Sequence, residues 1–427
     1  MGRWLARLWG DYRDSWEHTG VGGRAILLGC VAYITRSVGF TFLLPLFAKE
    51  NGISNGQYGL MYSVYSANML VAIVPILALS RRGWDRRLIM FGPLVSLPGI
   101  ALLLLAPSLP FVAWPIGMLL CGTGGSTFWV LSDPLLAEAT DASHRSRVYA
   151  LKFVLFTVGS SIGVLLAGLI PDALSLVPAI SRNVAFGVTL GLLGSLDVLQ
   201  AYLFRLSPNR RSIAAGRRAP IGRIAMVALG GFAVTEVAFA FGYNSVRPFL
   251  SLFFTEEHGL GSGQAGLIVG GMALVGGVGA ILMPVLATRI GNGLVIGIFR
   301  VIGAVAIAAW FAHAGLPLVI AMTLVYYGVI DGTEALYISE VMSRLPPELR
   351  DVMAGLNAML WAMVASIATL TSGWIQDRPW GGFGPAFAVG VAGYVVSAVW
   401  TLLAFPRITA PPHLDMSGKE LTAPAPG

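Results

Sequence analysis

The sequence predicts an all-α integral membrane protein whose twelve transmembrane helices form two pseudo-symmetric six-helix bundles. Composition is the first reason: of 427 residues, 56% are hydrophobic and 11% are charged, against about 25% charged residues in a soluble domain. The second reason is a series of twelve apolar runs, each of about 20 residues and long enough to cross a bilayer. The third is an internal repeat that relates the first six runs to the last six.

The apolar runs follow one another with short polar or turn-forming segments between them. They lie near residues 26–48, 58–79, 88–106, 111–134, 148–170, 184–204, 224–248, 264–288, 293–313, 316–340, 353–375 and 383–405.

These runs divide the chain into five segments. Residues 1–23 carry Trp and Leu at helical spacing with arginines between them, which predicts an amphipathic helix on the cytoplasmic membrane surface. Residues 24–206 and 223–406 are the two bundles, and the basic, proline-bounded segment 207–222 is a cytoplasmic linker. The polar, proline-rich tail 407–427 is predicted to be disordered.

The repeat is visible residue by residue. Phe, Glu, Gly, Gly, Gln, Gly and Leu recur in register between residues 47–60 and 254–267, at an offset of 207. Residues 145–151 and 350–356, which open the fifth and eleventh runs, match at an offset of 205. A duplicated block of membrane helices is typical of secondary transporters, with the substrate site at the interface of the repeats.

The net charge of +7 is distributed unevenly over the loops. With a cytoplasmic N-terminus, the outer loops hold Lys49, Arg182, Arg378 and, at a helix end, Arg247. The cytoplasmic loops hold Arg81, Arg82, Arg86, Arg87, Arg145, Arg147, Arg205, Arg210, Arg211, Arg217, Arg218, Arg223, Arg289, Arg344 and Arg350. This bias predicts an inner-membrane protein with both termini in the cytoplasm. The basic charge is therefore a topology signal, and nucleic acid is not a predicted partner.

The twelve runs, the 6+6 repeat and the basic central linker together resemble the major facilitator superfamily over about residues 24–406. The loop after the second run, residues 76–87, is similar to the superfamily's Gly-x-Leu-Ala-Asp-Arg-x-Gly-Arg-Arg signature. It keeps the Arg-x-Gly core, while Ile76 replaces the first Gly and Ser80 the Asp. Gly159, Gly163 and Gly168 resemble the glycine-rich fifth helix of drug/proton antiporters. The resemblance implies transport by alternating access, with the first and seventh helices lining the cavity.

Charged residues inside the predicted spans are candidate site residues, because a charge facing lipid costs at least about 2.5–3.5 kcal/mol. Arg36 lies near the middle of the first run, as a cavity cation for an anionic group or as half of a fixed ion pair. Glu236 lies in the middle of the seventh run, with Tyr243 on the same face. It is either a proton carrier or the fixed partner of Arg36.

Asp331 and Glu334 are three residues apart in the tenth run and share a helix face with Tyr327. Two carboxylates one turn apart repel each other when both are ionised, so one of them tends to keep a proton. The pair therefore indicates a proton-coupling or cation-binding site, and the alternative is a hydrogen-bonded structural pair. Aromatic residues in the same runs would suit an amphipathic organic substrate.

The remaining charged positions have other expected roles. Asp133, Lys152, Asp197 and Arg300 are predicted to be structural, with Asp133 and Lys152 near enough to pair. By resemblance to the superfamily, Glu138 would latch onto Arg81 or Arg82, and Glu340 onto Arg289. The alternative for these five latch residues is that they are ordinary interfacial charges.

These observations predict a transporter and argue against an enzyme. The five histidines are scattered over loops, ends and tails, no His-x-x-x-His pattern occurs, and no Walker sequence is present. We predict a monomer that needs no cofactor or metal and whose partners are a small-molecule substrate, protons and the bilayer. Proton-coupled efflux is the leading form, with proton-coupled uptake or uniport as the alternative. A membrane scaffold on a transporter-like fold is the rival of another class.

Overall fold

Long α-helices account for nearly all of the described chain. The structure is a computed structural model, and it describes residues 13, 16–17, 19–141, 144–208, 223–311, 315–344 and 347–404. In chain order the twelve long helices of these residues are α1 Val21–Glu50, α2 Asn55–Ser80, α3 Asp85–Leu105, α4 Ala113–Glu138, α5 Arg145–Leu174, α6 Arg182–Phe204, α7 Arg223–Val246, α8 Ser262–Ile290, α9 Asn292–Ala308, α10 Leu316–Arg344, α11 Pro347–Gln376 and α12 Phe383–Ala404. The prediction of an all-α protein with twelve helices is confirmed.

The bilayer explains why these segments are helical and apolar. A helix satisfies its own backbone hydrogen bonds, which water does not reach in the hydrocarbon core. Ten of the twelve helices are long and apolar enough to span a membrane; α4 and α7 do not meet that measure over their described residues. Their glycine, serine and threonine content and, in α7, Glu236 lower the mean hydropathy.

Local sequence signals set several helix ends. Ser54 and Gln57 form a reciprocal capping box at the start of α2. Ser181 caps α6 through a hydrogen bond from the backbone N–H of Val184. The seventh run continues past Val246 as irregular turns, first a 3₁₀ turn at Arg247–Phe249 and later a π-helical turn at Phe253–Glu257.

By internal packing the chain divides into two units. The first lies within Met1–Ser212 together with Pro248–Leu274, and the second within Ile213–Arg247 together with Val275–Gly427. Packing thus assigns Pro248–Leu274 to the first unit, although the sequence repeat places it in the second half. The division by sequence into bundles at 24–206 and 223–406 stays a prediction.

The first unit has an apolar core between α1, α4 and α6. Tyr33 stacks on Phe128 with ring centres 3.8 Å apart, and the ring of Phe204 lies near-parallel to that of Phe128 with centres 6.4 Å apart. Small residues let the backbones approach: a Cβ on Gly163 of α5 would lie inside contact distance of the Thr35 carbonyl oxygen of α1. The large buried rings of the second unit include Phe232, Phe239, Tyr326, Tyr337 and Tyr394.

Three predicted segments lie largely or wholly outside the described residues. They are the amphipathic N-terminal segment, nearly all of the linker and the tail from residue 405 onward. Within the N-terminal segment, Arg13 forms an exposed ion pair with Glu17 at 2.8 Å.

Candidate functional site

In the first unit, the charged pair of the membrane interior is Arg36 of α1 with Asp197 of α6. The guanidinium Nε lies 3.1 Å from the carboxylate, and both side chains are 2% exposed. The guanidinium also lies 5.3 Å from the ring centre of Phe40. The sequence offered Glu236 as the fixed partner of Arg36, and that alternative is wrong because the ion pair is with Asp197. As predicted, Asp197 has a structural contact, with a partner 161 positions away that the sequence did not reveal.

A small pocket opens beside Arg36 in the same unit. Its polar and aromatic wall is formed by Phe40 of α1 and by Tyr58, Tyr62 and Tyr65 of α2. The Nη2 group of Arg36 has no hydrogen-bond partner among the described residues. Arg36 therefore retains one free donor group, although its charge is already neutralised by Asp197.

In the second unit, Arg247 and Asp331 form a partly accessible ion pair. The Nη2 of Arg247 lies 2.5 Å from Oδ1 of Asp331, with the side chains 15% and 26% exposed. Arg247 also donates a hydrogen bond of 2.9 Å from Nη1 to the hydroxyl of Tyr243. Its guanidinium carbon lies 4.0 Å from the ring centre of Tyr327, 4.2 Å from that of Tyr243 and 5.5 Å from that of Tyr326.

Arg300 of α9 forms the second ion pair of this unit. Its Nη2 donates to Oε2 of Glu334 at 3.1 Å, and its Nη1 donates to the hydroxyl of Ser397 at 2.6 Å. The guanidinium rests 4.1 Å from the ring centre of Phe239 and 5.0 Å from that of Tyr337. The Arg300 side chain is fully buried, while Glu334 is 19% exposed.

The structure therefore gives Asp331 and Glu334 separate cationic partners. The sequence placed the two carboxylates on one face and predicted that one of them tends to keep a proton. Each is instead neutralised by an arginine from another element, Arg247 after α7 and Arg300 in α9. The sequence predicts Arg247 as a helix-end charge and Arg300 as a structural residue.

Glu236 is the interior carboxylate of the second unit that has no arginine of its own. Its side chain is fully buried, and neither carboxyl oxygen has a hydrogen-bond partner among the described residues. The charged groups that act on it are Glu334 and Arg300, and Asn357 of α11 is the polar side chain that approaches it. Because Arg300 is bound to Glu334, Glu236 faces a neutral pair.

An aromatic cluster lies between Glu236 and Arg247 along α7. The ring centre of Trp361 of α11 is 5.1 Å from that of Tyr243 and 6.2 Å from that of Phe239. These rings give the second unit an apolar wall next to its charged groups.

The predicted latch residues lie at or near helix ends, and their pairing stays a prediction. Within the described residues, Glu138 is exposed and in no ion pair, and Arg81 and Arg82 are exposed at the end of α2. Arg289 is exposed, and Glu340 accepts a hydrogen bond from Asn292 at the start of α9. Ser80 and Thr288 stand where the superfamily signature has its Asp, so neither loop supplies the carboxylate that would organise a latch.

The other interior charges behave partly as predicted. Lys152 and Asp133 form an ion pair at 2.5 Å, which confirms that these residues are close enough to pair. A further carboxylate, Asp172 at the end of α5, accepts from the Ser262 hydroxyl at 2.5 Å and from the Gly263 N–H at 2.8 Å. It therefore caps α8.

The fifth helix also contains Gly159-Ser160-Ser161-Ile162-Gly163, which has the spacing of a hydrolase nucleophile elbow. Here it lies inside a continuous α-helix, without the strand-to-helix turn that exposes such a serine. The Ser161 hydroxyl donates to the Gly270 carbonyl at 2.8 Å. The glycines serve close packing, and no cluster of metal-ligating side chains occurs among the described residues.

A family model of the Major Facilitator Superfamily matches residues 25–369. The chain therefore belongs to this superfamily, whose members are secondary transporters that work by alternating access. A search of curated proteins gave no match.

Solved transporter structures share the fold. A bacterial homolog of the human lysosomal transporter Spinster, inward-facing and unoccupied, has a TM-score of 0.71 at 16% identity and covers 91% of this chain and 98% of its own. The E. coli fucose:proton symporter FucP has a TM-score of 0.60 at 14% identity, with 89% and 97% covered. The human organic anion transporter MFSD10 (TETRAN) has a TM-score of 0.60 at 16% identity, with 89% and 99% covered. The chain is thus a multi-pass membrane protein with this fold.

Proposed function

We propose that this transporter exchanges a small organic solute for protons and that Glu236 is the group that carries the proton. The supporting observation is the pairing of interior charges. Arg36, Arg247 and Arg300 are each bound to one carboxylate, whereas Glu236 is fully buried without an ion-pair partner among the described residues.

Burial limits Glu236 to two states, one protonated and neutral and the other ionised with a cation nearby. An ionised carboxylate without a cation of its own is very costly to bury, so the group is expected to hold a proton while no other cation is present. A positively charged substrate that enters the second unit would offset the charge of an ionised Glu236 and release that proton. Binding of the proton and binding of the substrate then oppose each other, which is the requirement for antiport.

We propose efflux from the cytoplasm as the leading direction. The same proposal includes a monomer in the inner membrane with both termini in the cytoplasm. The antiporter-like glycines of α5 do not strengthen it, because Gly159 and Gly163 pack directly against α1. Uptake is the second candidate, since the similar fold of FucP belongs to a fucose:proton symporter. The fold neighbours include an organic anion transporter as well, so the fold leaves the substrate open.

Proton movement in everted membrane vesicles tests the proposal. With an imposed pH gradient and a pH-sensitive dye, a panel of amphipathic cations, anions and sugars is added to wild type and to Glu236→Gln. We expect substrate-driven collapse of the gradient in wild type and its loss in Glu236→Gln, because the amide binds no exchangeable proton.

Glu50→Gln is the matched control, since Glu50 is an exposed carboxylate at the end of α1. It should behave as wild type. Unchanged proton movement in folded Glu236→Gln would remove Glu236 from the mechanism. If no compound of the panel drives proton movement in folded wild type, uniport or the scaffold alternative would be favoured.

A further inference from the structure

The side chain of Arg247 occupies a site that is built to hold a cation. Three tyrosine rings, Tyr243, Tyr326 and Tyr327, surround the guanidinium at 4.0–5.5 Å, and Asp331 binds it at 2.5 Å. We call these four residues the tyrosine cage. All four belong to the second unit, as does Arg247.

We propose that the tyrosine cage binds the cationic group of the transported solute and that Arg247 is its built-in competitor. The predicted ligand class is an organic cation with planar, delocalised charge, such as a guanidinium, an amidinium or an arylammonium. This inference rests on the proposed function, since it names the substrate class of the same transporter.

The chemistry of the cage favours a cation over an anion. The faces of aromatic rings carry negative potential and attract a guanidinium or ammonium group within about 6 Å of the ring centre. Asp331 adds a full negative charge, and the Tyr243 hydroxyl accepts a hydrogen bond. An anion in the same place would face three ring faces and a carboxylate, all of which repel it.

Arg247 differs from the other interior arginines in how it is held. Arg36 and Arg300 are sealed, with side chains 2% and 0% exposed, whereas Arg247 is 15% exposed and its partner Asp331 26%. The Nε of Arg247 has no hydrogen-bond partner among the described residues, but the same holds for the Nε of Arg36 and of Arg300. Accessibility is therefore what distinguishes the Arg247–Asp331 pair.

The backbone is irregular at Arg247. The α-helix ends at Val246, and Arg247 begins a 3₁₀ turn in which Pro248 follows. Proline supplies no N–H to continue the helix, so the segment is not locked into a regular hydrogen-bond ladder.

Charge balance connects the cage to Glu236. With Arg247 on Asp331, Arg300 on Glu334 and a proton on Glu236, the charges of these five groups sum to zero. A monovalent cation that enters the cage and displaces Arg247 adds one positive charge. Release of one proton from Glu236 restores neutrality, so entry of one cation is matched by departure of one proton.

Equilibrium binding to the purified protein in lipid nanodiscs tests the inference with phenylguanidinium as the probe. Arg247→Gln removes the competitor and leaves the cage. If Arg247 fills the cage nine-tenths of the time, its removal tightens binding about tenfold, because the apparent affinity scales with the fraction of empty sites. The double variant Arg247→Gln/Asp331→Asn should lose this gain.

Arg378→Gln is the matched control, because Arg378 lies 4.0 Å from the Trp374 ring centre but is exposed and outside the cage. It should bind the probe as wild type does. Arg247→Lys is a second variant in case the glutamine protein does not fold. It keeps the charge but cannot stack a planar group, so binding should tighten by a smaller factor.

Benzoate, an anion of similar size, tests the opposite interpretation, in which Arg247 binds an anion. Benzoate binding to wild type that is lost in Arg247→Gln would make Arg247 an anion receptor and overturn the inference. Unchanged or weaker phenylguanidinium binding in folded Arg247→Gln and Arg247→Lys would overturn it too. Neither result depends on proton movement, so the vesicle assay tests the proposed role of Glu236 independently.

Discussion

The Arg36–Asp197 ion pair is sealed inside the first unit, with both side chains 2% exposed. Removing one partner leaves an uncompensated charge, which costs about 3–5 kcal/mol in a buried setting. Replacing both by apolar residues of similar size removes the charges together and is often neutral. The pair is therefore a strong candidate for a structural contact with little direct role in transport.

We predict that Arg36→Met alone lowers the melting temperature and the yield of folded protein, and that Arg36→Met/Asp197→Leu recovers most of the loss. Thermal unfolding of the detergent-purified variants measures this. Arg182→Gln is the control, since Arg182 is exposed and lies over the Phe186 ring at 5.3 Å. A stable Arg36→Met protein that has lost only transport would return Arg36 to the substrate site.

The charged residues also show which parts of the site the sequence could predict. Arg36, Glu236, Asp331 and Glu334 are recognisable because charge is costly in a membrane span. Their partners are not, because the pairing of Arg247 with Asp331 joins positions 84 residues apart and depends on how the helices pack. Spacing along α10 brought Asp331 and Glu334 together on one face, but it could not show that each already has an arginine.

At the scale of elements, helix positions were predictable because bilayer thickness fixes the length of a span. The run predicted near 184–204 is α6 Arg182–Phe204, and the run near 26–48 is α1 Val21–Glu50. The 3₁₀ turn at Arg247–Phe249 and the π-helical turn at Phe253–Glu257 were not predicted, because the apolar run ends near residue 248 and polar residues interrupt the pattern beyond it. Arg247 was therefore assigned to a helix end, and its cage was missed.

Helix packing supplies a prediction at this scale. A Cβ on Gly163 would lie too close to the Thr35 carbonyl oxygen, and this atom belongs to backbone, which cannot move aside as a side chain can. Gly163→Ala should therefore separate α1 from α5 and lower the melting temperature. Gly271→Ala is the control, because a Cβ there has nothing within 4 Å.

The control should be neutral or slightly stabilising, since alanine favours a helix over glycine by roughly 0.5–1 kcal/mol. Equal melting temperatures for the two alanine variants would mean that α1 and α5 are not held at this distance. The glycines of α5 would then need another explanation, and their resemblance to antiporters would regain weight.

At the scale of the whole molecule, the loop charges predict the orientation in the membrane. Arginines concentrate in the loop after α2, while the loop after α5 holds the exposed Leu176, at 83% exposure, and no basic residue before Arg182. Positively charged loops stay on the cytoplasmic side. The loop after α2 should therefore face the cytoplasm and the loop after α5 the opposite side.

Single cysteines test this orientation directly, because the two native cysteines, Cys30 and Cys121, are buried and should react little. In intact cells, a membrane-impermeant maleimide should label Leu176→Cys. It should label Trp84→Cys, in the arginine-rich loop after α2, only after the membrane is permeabilised. The reverse pattern would place the basic loops outside. The direction of transport inferred from the vesicle experiment would then reverse, so the proposed efflux would become uptake.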